Sequence, residues 1–329
     1  MSRLIKVSVL ASVLMFIPIS AMTWGFFAHR RINELAVYTL PPELFGFYKK
    51  HIDFIKEHAV DPDKRRYGVK GEAERHFIDA DHYCKGIPRC NPFLYLPRRW
   101  NDAVEQLSED TLRSYGIVPW HIEKMHFRLV KAFEERDLER ILRISTELGH
   151  YIGDAHVPLH TTENYNGQLT DQVGIHGFWE SRIPELYSTD YDLFVGQAYY
   201  IAGPLETAWG VVEQSHWALD SVLTFEKILN DRFAADQKYS FEDRGRVTTR
   251  VYSEPYSRAY HDMLDGQVER RMRESIRTIG SFWYTAWVDA GQPDLENLQP
   301  IDVELLKETV NKENEVEPDP NINTRQHEN

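Results

Sequence analysis

The chain has 329 residues, with 51 acidic residues against 38 Lys and Arg, a formal net charge of −13 and 42% hydrophobic residues. That balance excludes capture of polyanions by a generally basic surface, so a phosphodiester substrate would need bound cations to supply positive charge locally. Two cysteines exclude a scaffold built on many disulfides, and the length is enough for one large buried core.

Residues 1–23 read as a secretory signal peptide: Arg3 and Lys6 precede an apolar run from Val7 to Ile19, which closes on the small residues Ser20 and Ala21. The run is shorter than the roughly 20 residues of a membrane span, and no later stretch is apolar and uncharged enough to be one. A secreted or periplasmic chain without a transmembrane segment is expected, beginning at Trp24. Loss of Arg3 and Lys6 takes its net charge from −13 to −15. Residues 24–299 contain no linker and are expected to form one domain. Residues 300–329 lack Phe, Trp and Tyr and are charged and rich in Asn and Pro, the composition of a disordered tail.

Along the domain, the stretch Trp24-Gly-Phe-Phe-Ala-His29 is apolar apart from its histidine and reads by itself as a helix start with a buried aromatic. Asp61 and Asp63, followed by Lys64, Arg65 and Arg66, and then His76, Asp79, Asp81 and His82, offer metal or phosphate ligands. A solvated charged loop is the plain alternative for both stretches. Cys84 and Cys90 suit a local disulfide in an oxidising compartment, with two thiols or a two-cysteine zinc site as alternatives.

Apolar residues three and four apart predict helices over Ile122–Phe133, Leu138–Ile152 and Val268–Trp287, with prolines such as Pro119, Pro158 and Pro184 between helical stretches and a loop over Asn164–Gly177. Strand-like alternation is scarce, so the expected fold is all-α, a single multi-helix domain. Neither a Gly-rich phosphate loop nor a Ser-centred nucleophile elbow is present, which leaves histidines and carboxylates to carry any chemistry.

Those residues concentrate in His150-Tyr-Ile-Gly-Asp154-Ala-His156-Val-Pro-Leu-His160 and His176-Gly-Phe-Trp-Glu180. Helical spacing of four puts His150 and Asp154 on one face, and His176 and Glu180 on another, so each pair can hold one ion. A lone histidine on an apolar face is usually structural. Two such pairs joined by His160 are hard to explain as packing, because each group would need its own buried partner. The mixture of N and O ligands favours zinc.

This set of motifs resembles the zinc-dependent phospholipase C and S-one/P-one nuclease superfamily over most of residues 24 to about 292. The resemblance implies three zinc ions. One would be held by Asp61, His76, His150 and Asp154, with Asp63 as the alternative to Asp61. A second would be held by the amino and carbonyl groups of Trp24 with His29 and Asp154, so that Asp154 bridges the two. The third would be held by His160, His176 and Glu180. The implied reaction is phosphodiester hydrolysis by a hydroxide bridging the Asp154-linked zincs, with no protein nucleophile, Asp154 helping to orient the water and the third zinc stabilising the leaving oxygen.

For the substrate, the resemblance divides. Phe77 and Asp79 beside His76 look like the nucleobase pocket of the nuclease branch, Phe77 stacking on a base and Asp79 accepting its hydrogen bonds, as does the short step from Trp24 to His29. Glu180 and the short step from His160 to His176 look like the phospholipase C branch. Plain core for Phe77, and support of a ligand for Asp79, are the alternatives. The reading is a single-strand nuclease, with a phospholipase C or a non-catalytic exported zinc-binding protein as alternatives.

Overall fold

The computed structural model describes residues 25–329 except 88–89, 245–246, 297, 321, 323–324 and 326–329. The signal peptide read over residues 1–23 and the candidate ligand Trp24 lie outside the described residues. The described chain is mostly helical. In order it forms α1 (Gly25–Ala36), α2 (Pro42–Lys50), α3 (Ile52–Glu57), α4 (Asp61–Arg65), α5 (Trp100–Leu107), α6 (Glu109–Ser114), α7 (Val118–Glu134) and α8 (Leu138–Ala155). A short α9 (Ile175–Gly177) continues through a π turn, Phe178–Arg182, into α10 (Ile183–Tyr187). Then come α11 (Pro204–Arg232), the strands β1 (Tyr239–Arg244) and β2 (Val247–Tyr252), α12 (Glu254–Met263), α13 (Gln267–Asp289) and α14 (Val303–Asn314).

The three helices predicted from apolar spacing lie within α7, α8 and α13. α8 shows why. Asp137 caps its start by accepting from the Arg140 amide at 3.0 Å, and Leu138, Ile141, Leu142, Ser145, Leu148 and Ile152 recur at helical spacing as a buried stripe. Toward its C-terminal end every residue from Leu148 to Ala155 is buried, because α1, α7, α11 and α13 all pack against it. Trp283 of α13 donates its indole N–H to Ser145 O at 3.0 Å and stacks on Tyr48, whose hydroxyl lies 2.8 Å from Ser145 Oγ.

The approach of α1 to α8 depends on two glycines. A Cβ at Gly149 would overlap Asn33 Oδ1, and one at Gly153 would lie 2.8 Å from Ile32 Cδ1 and 3.0 Å from His29 Nδ1. Without side chains at these positions, the backbone of α8 can sit directly against α1, and His29 is brought alongside His150 and Asp154.

The mostly helical chain agrees with the all-α expectation, and the described residues add one small feature to it: β1 and β2 pair as an antiparallel hairpin with Tyr239 opposite Tyr252. The run Val247-Thr-Thr-Arg-Val-Tyr252 is rich in β-branched residues, and Tyr252 stacks on Phe178 at 3.9 Å between centroids. One expectation is corrected: the segment 300–329, read as a disordered or loosely attached tail, carries a docked helix. Asp302 caps α14 through the Leu305 amide at 3.1 Å, Leu306, Val310 and Asn314 are buried, Lys307 pairs with Glu57 at 3.5 Å, and Arg143 pairs with Glu313. The composition of the tail is polar, but one stripe of one helix is enough to dock it.

Cys84 and Cys90 are joined as a disulfide with a Cα–Cα distance of 5.5 Å. Among the described residues no helix is long and apolar enough to cross a membrane.

Candidate metal centre

Three groups of buried or nearly buried ligand atoms adjoin one another: His29, His150 and Asp154; Asp63, His76 and His150; and His160, His176 and Glu180. Within each group the ligand atoms lie within 4.8 Å of one another. Local structure places each side chain. His150 and Asp154 leave one face of α8 four residues apart. His29 comes from α1 across the glycine contact. His76 follows a 3-10 turn at Ala73–Arg75, and His160 lies in another at Pro158–Thr161. The two turns are tied together, the Ile78 amide donating to His160 O at 2.9 Å and His160 Nδ1 bonding His76 O at 2.6 Å. His176 and Glu180 span the junction of α9 with the π turn, a helix irregularity often found at functional sites.

Asp154 lies between the first two groups. Its Oδ1 is 3.2 Å from His29 Nε2, and its Oδ2 is 2.9 Å from His76 Nδ1 and 3.3 Å from His150 Nε2. Asp63 Oδ1 faces the second group, 3.8 Å from His76 Nδ1 and 3.9 Å from His150 Nε2. In the third group Glu180 Oε2 is 2.7 Å from His176 Nε2 and 3.5 Å from His160 Nε2, and its other oxygen lies 3.6 Å from His29 Nε2.

The donor set fits cations. A backbone carbonyl only accepts, so a ring nitrogen bonded to one carries the proton. That fixes His150 through Ala59 O at 2.9 Å, His160 through His76 O, and His176 through Tyr165 O at 2.9 Å. In His150 and His176 the other nitrogen then presents a lone pair to carboxylate oxygens, and His150 Nε2 also meets His76 Nδ1 at 3.1 Å. Such a ring of acceptors needs protons or a cation at its middle. Burial holds the His150 and His176 imidazoles below the usual histidine range, which disfavours extra protons there. Ligands about 2.1 Å from a tetrahedral ion stand about 3.4 Å apart, in the middle of the separations found here.

The carboxylates set the field of the site. Burial alone would push Asp154 up, but the surrounding imidazoles, His150 and His160 first, hold it well below the usual carboxylate range. Burial likewise opposes charge on His29 and His76, but carboxylates overcome it: Asp154 and Glu180 push His29 up to about 10, and Asp154 and Glu72 push His76 up to about 9. Glu72, missed in the sequence, stands 3.7 Å from His76 Nε2, the nitrogen opposite the cluster. It suits the part of an outer carboxylate that orients a ligating histidine, and its position four residues before His76 was a readable signal.

The structure places Asp63, not Asp61, in the cluster. Asp61 opens α4, and its carboxylate turns to the neighbouring turns of its own segment, accepting from Lys64 Nζ at 2.7 Å and meeting His58 Nδ1 at 2.7 Å. The resemblance put Asp61 first and Asp63 as the alternative; which face of this short helix points inward selects Asp63. Of the three basic residues that follow, Lys64 is taken up by Asp61, and Arg65 by Glu72 and Glu147. Arg66 is buried against Asp63 and lines a narrow gap with His76, His160 and His176. Asp81 and His82 serve elsewhere, Asp81 accepting from the Thr162 hydroxyl at 2.6 Å and His82 stacking on Tyr115.

Phe77 lines the same gap. With Asp79, Tyr165, Glu163 and Arg113 it also lines a cavity of about 870 Å³. Asp79 is buried, which pushes its carboxyl up to about 6 despite the opposing charge of Arg325. Comparison with protein-family models and with curated proteins finds no match to this chain.

Proposed function

We propose that this chain is a secreted, zinc-dependent phosphodiesterase, most specifically a single-strand nuclease with the multi-helix fold of the phospholipase C and S-one/P-one nuclease superfamily. The observation that carries it is the convergence of His29, Asp63, His76, His150, Asp154, His160, His176 and Glu180 on three adjoining clusters. Structural histidines would each bring their own partner; these share carboxylates. Trp24 is taken as a further ligand of the ion held by His29 and Asp154.

Zinc suits this N/O donor set and, when bound, supplies a Lewis acid for the phosphodiester and activates water. The protein's own residues hold, orient and select. Asp154 directs one oxygen to each of two clusters, fixing their separation. The carbonyl partners of His150, His160 and His176 fix the ring tautomers, so that lone pairs face inward. Arg66 brings a buried positive charge to the gap beside the clusters, where a phosphate oxygen would be drawn. Phe77 and Tyr165 offer aromatic faces and Asp79 an acceptor, the parts a nucleobase needs. The disulfide and the apparent export signal agree with an oxidising compartment.

Exposed Leu169 and Val173, on the loop that leads to His176, favour a second reading: a phospholipase C meeting a lipid surface there. Side-by-side turnover of single-stranded DNA and phosphatidylcholine, before and after chelation, separates the two. Chelator-sensitive cleavage of DNA, at least about tenfold faster than of lipid, is expected. Lipid turnover alone would move the assignment to phospholipase C, and no turnover of either by the zinc-loaded protein would leave a metal-binding protein without this activity.

A further inference from the structure

Arg325, near the C-terminal end of the chain, sets its side chain in the slot beside the clusters. Beyond α14 the backbone runs back along Tyr67 and Gly68. The Asp319 amide donates to Tyr67 O at 2.9 Å, and Gly68 is packed so closely that a Cβ there would stand 2.6 Å from both Glu317 O and Val316 Cγ1. Arg325 then sets its guanidinium carbon 3.3 Å from the centroid of the Phe77 ring and 4.7 Å from that of Tyr165. Its Nη2 meets Asp79 Oδ2, and its Nη1 lies 3.5 Å from Thr162 O.

This is how a nucleobase would be held. A guanidinium is planar, stacks on aromatic faces and directs several N–H donors outward in its own plane. The amino-bearing edges of adenine, guanine and cytosine offer the same combination of flat face and in-plane donors. Arg325 therefore occupies the Phe77 face and the Asp79 acceptor together, and it also lines the gap with His76, His160 and His176. A base and Arg325 cannot share that space. The contact is not an incidental surface pair, since the arginine side chain is only 14% exposed and Asp79 is buried.

We propose that Arg325 is a built-in competitor for the base slot, an autoinhibitory strap that a nucleobase must displace before it stacks on Phe77 and bonds Asp79. This rests on the nuclease reading for its consequence in turnover, though not for its consequence in binding. A slot closed about nine-tenths of the time weakens apparent affinity about tenfold.

The test compares the full-length, zinc-loaded chain with its Arg325→Ala variant in three readouts: the Kd of 5′-AMP by calorimetry, KM for a single-stranded oligonucleotide, and turnover of methyl p-nitrophenyl phosphate, a diester without a base. Arg325→Ala is expected to tighten 5′-AMP binding and lower KM for the oligonucleotide, each about tenfold, with turnover of the base-free diester within twofold of wild type. An unchanged Kd for 5′-AMP would overturn the strap, and so would a raised KM, which would make Arg325 a substrate contact. Tighter 5′-AMP binding in a protein that cleaves no diester would uphold the strap while removing the nuclease reading.

Discussion

Under the proposed function, Asp154→Asn is expected to lower phosphodiester turnover by about three orders of magnitude or more, the scale on which removing a group that organises charge in the transition state is felt, while the chain stays folded. Asp154 joins the first two clusters, its Oδ1 facing His29 and its Oδ2 facing His76 and His150. An asparagine of the same shape keeps one oxygen and replaces the other with an NH₂, which donates and cannot ligate. Whichever way the amide turns, one cluster loses this oxygen ligand, the other keeps only a neutral one, and the pair is no longer bridged. Volume is conserved on a helix face packed by α1, so circular dichroism and gel filtration should match wild type. Turnover within tenfold of wild type would remove Asp154 from the mechanism.

Asp63→Asn and Asp61→Asn separate just as sharply, though the two residues are near neighbours in the chain. Asp63 faces His76 and His150 and is expected to cost about a hundredfold or more in metal affinity at that cluster, at least the loss seen when residues that merely support a ligand are removed. Asp61 is engaged by Lys64 and His58. Its replacement should leave the metal content unchanged and cost about 1–3 kcal/mol of stability, because buried hydrogen-bond partners are left unsatisfied. Competition with a chromophoric chelator reads the first effect, and urea denaturation the second. The reverse pattern would restore Asp61 as the ligand.

Much of this was legible in the chain because its signals are local. The 3.6-residue apolar period of Leu138–Ile152 needs nothing but burial on one side to become α8, and the fourfold spacing of His150 with Asp154 and of His176 with Glu180 places each pair whatever packs around it. Asp61 against Asp63 was not local in that sense. Both open the same short helix, and the choice depends on where His76 arrives from a separate loop. The docked α14 was hidden because Leu306 and Val310 are a thin apolar stripe in a polar stretch. Arg325 had no readable signal at all, since an arginine in an Asn-rich tail becomes meaningful only when its guanidinium is set against Phe77. The hairpin could have been read from Val247-Thr-Thr-Arg-Val-Tyr252, whose β-branched run was outweighed by the helices around it.

The claim on which the rest depends is that the three clusters hold ions, and native mass spectrometry of the mature protein tests it most directly. The expected result is three zinc ions per chain, removed together with activity by a chelator, and a melting temperature that falls by about 10 °C or more as buried carboxylates and imidazoles lose the cations between them. A chain that carries no divalent metal after exposure to zinc, and melts at the same temperature with and without chelator, would contradict it.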